Sequence, residues 1–156
     1  MDTAKFLKQK FTARTEDVPV PELADFFGEE APVWTIRGLT ATELAKCKAA
    51  FDRTETARAI IDAMSTDGEK SEGIKQALGL MDKDVPHDIS RRIETLAIGS
   101  VSPEIGESNR DVAVKLSEVH PVTFYNLTNK IDGLTGQGYE PGKPKASGKN
   151  KTSGPH

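Results

Sequence analysis

Residues 39–64 read LTATELAKCKAAFDRTETARAIIDAM, and the start of this stretch decides the fold class. Thr40 followed three residues later by Glu43 is a capping box, in which each side chain satisfies a backbone N–H that the first helical turn leaves without a partner. Leu44, Cys47 and Phe51 follow at helical spacing, and Ala57, Ile60, Ile61 and Met64 extend the apolar side. Ser65-Thr66-Asp67-Gly68 then breaks the pattern. A long helix starting at a well-marked cap is the anchor for the rest of the chain.

Toward the N-terminus, Val33-Trp34-Thr35-Ile36-Arg37 lies between Pro32 and Gly38. Its β-branched and aromatic content predicts a strand or extended segment. Before it, Val18-Pro19-Val20-Pro21 is extended, because proline fixes its own φ and disfavours helix at the preceding residue. Between them runs Glu22-Leu23-Ala24-Asp25-Phe26-Phe27, stopped by Gly28. Residues 1–17 are polar and mixed in charge, with Phe6, Leu7 and Phe11 as apolar members, and read as a short helix or an arm.

Toward the C-terminus, residues 69–81 form a weaker helical pattern, with Ile74, Leu78 and Met81 on one side. Asp84-Val85-Pro86 opens another helix, in which Ile89, Ile93 and Leu96 share a face and Gly99 is the stop. Val112, Leu116 and Val119 repeat at the same spacing. Pro121 ends that helix and suits the first turn of the next, whose stripe is Phe124, Leu127, Ile131 and Leu134. The expected fold is therefore all-α: a small multi-helix domain over 18–138, with one short extended or β segment near the N-terminus. Residues 139–156 hold Gly, Pro, Ser, Asn and Lys without a large aliphatic side chain. They are expected to be a disordered tail, because they cannot bury enough surface to offset ordering entropy.

The 156 residues are 36% hydrophobic and 29% charged, with a formal net charge of -3. Of the 21 bases and 24 acids, four lysines (143, 145, 149, 151) and Glu140 fall in residues 138–156, so residues 1–137 carry 17 bases and 23 acids. An acidic body repels nucleic acid and anionic lipid. Four scattered lysines without arginine or an aromatic are a weak nucleic-acid signal. Cys47 is the single cysteine, so no internal disulfide is available, and no stretch is apolar enough to span a bilayer. The chain reads as cytoplasmic.

Catalysis by side chains needs a nucleophile, a base and an orienting group brought together. His87, His120 and His156 each adjoin a proline, and no Cys-His or His-x-x-His spacing occurs. The glycines at 133, 136 and 138 follow a helix instead of opening one, which is the wrong side for a phosphate cradle. Neither an enzyme, a metal site nor a bound cofactor is expected. The candidate partner-binding residues are Phe26, Phe27, Val33 and Trp34, from the densest aromatic region, followed by Phe124, Leu127 and Ile131, for which core packing is the competing role.

The order VPVPELADFF…VWTIRGLTATELAKCKAAF resembles the N-terminal pattern of the tail assembly chaperones of long-tailed bacteriophages. RRIETLAIGSVSPEIGESNRDVAVKLSEVHPVTFYNLTNKIDGLTGQG looks like the second half of such proteins. Together these cover residues 18–138 apart from 65–85. The individual motifs are generic, and their order carries the likeness. The resemblance implies a non-enzymatic, oligomeric chaperone in the host cell cytoplasm. It would bind apolar helical segments of the tape measure protein, and help recruit the tail tube protein, during assembly. The competing readings are a permanent virion tail or neck component and a small nucleic-acid-associated regulator using the basic tail.

Overall fold

A computed structural model describes residues 1–64 and 87–142. In chain order the elements are α1 (Thr3–Lys8), β1 (Phe11–Thr12), β2 (Thr15–Pro19), a 3-10 turn (Pro21–Leu23), α2 (Ala24–Phe27), β3 (Val33–Arg37) and α3 (Ala41–Met64). After these come α4 (His87–Gly99), β4 (Ser100–Ser102), α5 (Arg110–Val119), α6 (Pro121–Gly136) and β5 (Glu140–Pro141). The helix expected over 69–81 and the start expected at 84–86 lie outside the described residues.

The all-α expectation is corrected. The protein is mixed, with a three-stranded antiparallel sheet in the order β2-β3-β4 and a two-stranded ribbon of β1 and β5. β3 is the segment predicted from sequence, and Trp34 and Ile36 on one face are buried while Val33 and Arg37 alternate away from the core. Its partners escape local reading. Thr15-Glu16-Asp17-Val18-Pro19 buries only Val18 and has no β-branched run. Ser100-Val101-Ser102 is three residues long and buries only Ser100. Both are strands because β3 supplies their hydrogen-bond partners, a non-local cause that no window of sequence contains.

The helices cover the inner face of this sheet. Val18, Trp34 and Ile36 join Leu96 of α4, Leu116 of α5 and the stripe Phe124, Leu127, Ile131 and Leu134 of α6 in one core. Two close approaches lock it. A Cβ on Gly38 would sit 3.1 Å from the α6 backbone at Leu134 and Thr135, and one on Gly99 would sit 2.7 Å from Ile131 Cδ1. The Leu39 N–H also donates to Thr135 Oγ1 at 2.9 Å, tying the strand-to-helix corner to the end of α6.

The capping box forms as predicted: Thr40 N–H donates to Glu43 Oε2 at 2.9 Å and Glu43 N–H to Thr40 Oγ1 at 3.3 Å. Within α5 the buried positions are Ala113 and Leu116, while Val112 and Val119 are exposed. The stripe is thus turned from the expected one, with small Ala113 at the close contact. Order also extends past residue 138. β1 and β5 pair as Phe11↔Pro141 and Thr12↔Glu140, and Gly142 N–H donates to Lys10 O at 2.8 Å. Residues 139–142 therefore belong to the fold, and 143–156 lie outside the described residues.

Candidate partner-binding surface

The seven residues singled out for contact separate sharply. Phe124, Leu127 and Ile131 are fully buried. Trp34 is 2% exposed, and its indole Nε1–H donates to Ser100 Oγ at 3.0 Å, so even its polar edge is satisfied inside the protein. Phe27 is half-buried, tilted against Trp34 with ring centroids 6.1 Å apart. These five build the core and offer a partner little or nothing. Phe26 and Val33 do reach solvent, at 81% and 39% exposure.

Local chemistry explains the split between the adjacent Phe26 and Phe27. α2 is one turn long and is ended by Gly28 in the left-handed region at φ 67, its N–H donating back to Ala24 O. Adjacent residues on a helix point about 100° apart, so when Phe27 packs on Trp34, Phe26 is turned outward. The turn before α2 is fastened to the start of α6: Thr123 Oγ1 donates to the Glu22 carboxylate. That bond is the main cause of a Glu22 carboxyl held below the usual carboxylate range.

This junction brings up residues that sequence reasoning missed. Val122 is 82% exposed and Val119 is also exposed, on either side of the α5–α6 corner next to Thr123. The signal for Val122 was present in the sequence. It lies two residues before Phe124, roughly 200° around the helix, and so opposite the buried stripe. The Glu22–Thr123 bond joins the 3-10 turn that leads into α2 and Phe26 to the start of α6, where Val122 adjoins Thr123 and Val119 ends the preceding helix; Val33 opens β3. Asp25, Glu29 and Glu30 are all exposed in the same segment, making this end acidic as well as apolar.

Some polar groups elsewhere are tied up in structure. Arg37 grips Glu43 through two bonds of 2.7 and 3.0 Å, and this guanidinium holds the Glu43 carboxyl at about 2. Glu43 is a fixed anion joining β3 to α3. A cleft of about 550 Å³ includes Arg37, Lys46, Glu94, Glu104 and Glu107 in its lining, with Arg110 paired to Glu94 at 3.1 Å. Two of its charges, Arg37 and Glu94, are thus already paired. Cys47 is buried, and burial pushes its thiol pKa up, so it stays a protonated thiol and a poor nucleophile. Among the described residues no group of three His, Cys, Asp or Glu is placed to hold a metal, and no helix is long and apolar enough to cross a membrane.

Comparison with family models, with curated proteins and with solved structures finds no match to this chain.

Proposed function

We propose that the protein is a non-enzymatic tail assembly chaperone that shields apolar helical segments of a tape measure protein until the tail tube encloses them. The observation carrying this reading is the exposure of Phe26, on the α2 turn that follows the 3-10 turn tied by Glu22 to Thr123 of α6, and of Val122 beside that Thr123, each more than four-fifths exposed. Exposed apolar side chains mark a binding surface where they gather into one patch, and in this proposal Phe26 and Val122 are members of such a patch. The order of motifs shared with the phage chaperones supplies the identity of the occupant. An amphipathic helix lays its apolar face on such a surface through residues spaced three and four apart, and the acids around Phe26 suit basic residues flanking that face. The same acids keep the complex soluble.

Co-expression with a long amphipathic helical client tests the reading. The wild-type chain is expected to raise the soluble fraction of the client and to co-purify with it, and Phe26→Ser is expected to lose both while staying folded. An unchanged soluble fraction without co-purification contradicts the proposal.

A further inference from the structure

The first fourteen residues contrast in charge with the rest of the described chain. They hold Lys5, Lys8, Lys10 and Arg14 against a single acid, Asp2. Their helix, α1, buries no residue at all. Leu7 is 79% exposed, and Phe6 finds only Phe11, at 5.4 Å between ring centroids. An isolated six-residue helix is marginal in water, and here it rests on the Asp2 side-chain cap, with one bond of 3.0 Å to Lys5 N–H. Among the described residues, Lys5, Lys8 and Lys10 form no ion pair, and neither do Asp25, Glu29 and Glu30. Among the described residues, the basic apolar α1 and the acidic segment around Phe26 thus each find no ion-pair partner.

Topology keeps them apart. β1 is pinned to β5, and Lys10 O accepts from Gly142 N–H, which fixes the arm at the open end of the β2–β3 hairpin. α2 lies in the connection at the closed end, beyond the Pro19↔Val33 pair. The five residues of β2 separate the two ends by roughly 15 Å of strand.

We infer that α1 of one chain docks on the α2 end of a second copy, Leu7 and Phe6 covering Phe26 while Lys5 and Lys8 meet Asp25, Glu29 and Glu30. The contact joins two different surfaces at opposite ends of one sheet, and in this inference it repeats head-to-tail from copy to copy. Repetition then closes a ring or grows an open chain. Because the acidic end is also the one assigned above to the client, arm and client exclude each other there. That consequence rests on the client reading, whereas self-association is measured on the protein alone.

Sedimentation of the full chain at about 0.05 M salt, where screening is weak, tests the contact. The wild type is expected to associate with rising concentration and to dissociate as salt is raised. An arm variant (Leu7→Glu with Lys8→Glu) and an end variant (Phe26→Ser with Glu29→Lys) should each weaken association about thirtyfold or more, the effect of losing a central anchor. Mixed together, the two variants should form a one-to-one pair and stop, because one intact arm and one intact end remain. That pairing also certifies that both variants are folded. A wild type that stays monomeric, association that survives in both variants, or a mixture that does not pair would each overturn the inference. A wild-type chain that associates but binds no helical client leaves the head-to-tail contact standing and removes the chaperone reading instead.

Discussion

Phe124 and Phe26 are the same side chain in opposite circumstances. Phe124 is fully buried at the start of the α6 stripe, edge-on to Tyr125 with ring centroids 5.8 Å apart. Phe26 stands in water on a one-turn helix whose other phenylalanine is held against Trp34. The difference teaches that apolar content does not distinguish core from contact surface here. The direction set by each short helix does, and it is fixed by neighbours: Pro121 and Thr123 at the start of α6, Gly28 at the end of α2.

The largest expected effect is in the core. Phe124→Ala should destabilise by about 3–5 kcal/mol, the usual loss for a buried phenylalanine together with its cavity, read as a fall in denaturant midpoint at unchanged slope. A loss below about 1 kcal/mol would erase the contrast with Phe26. Next is the close approach at the corner of β3 and α3. Gly38→Ala places a methyl 3.1 Å from rigid α6 backbone and should cost about 1–3 kcal/mol, measured in the same way.

Third, Glu43→Gln removes a carboxylate that both caps α3 and grips Arg37, with a cost of about 1–2 kcal/mol near neutral pH. The sign of its pH dependence follows from the depressed pKa. The contribution is fully present above the ordinary value of 4.5 and is lost as pH falls toward about 2. The wild-type and variant melting temperatures should therefore converge over that interval, and parallel curves would show that the Arg37 pairing is not what stabilises the corner. The smallest stability effect belongs to the exposed end. Val122→Ser should change stability by less than about 0.5 kcal/mol, because nothing is uncovered by removing it.

The sequence disclosed the parts of this contrast whose causes are local. The Thr40–Glu43 box, the strand over Val33–Arg37 and the Phe124–Leu134 stripe all specify structure within a few residues, and all three stand in the structure. β4 and residues 15–17 of β2 are illegible for the opposite reason, only Val18-Pro19 reading as extended: their residues are polar or short, and pairing with β3 makes them strands. The β1–β5 ribbon joins residues about as far apart as the described chain permits, which no local pattern signals. In the candidate surface, Phe26 was legible as an aromatic near a glycine stop, but its separation from Trp34 needed the sheet. Spacing groups Val119 with Val112 and Leu116, whereas Ala113 and Leu116 are the buried residues of α5. Val122 lies on the side of its helix opposite the Phe124–Leu134 stripe, where no apolar repeat marks it.

Affinity of the full-length chain for an amphipathic helical client, titrated with wild type and with Phe26→Ser while thermal melts confirm equal folding, tests the central claim most directly. An exposed end that does the work predicts unchanged melting and affinity lowered by about tenfold or more, the loss of one contact anchor. Equal affinity in the two proteins at equal stability would contradict it.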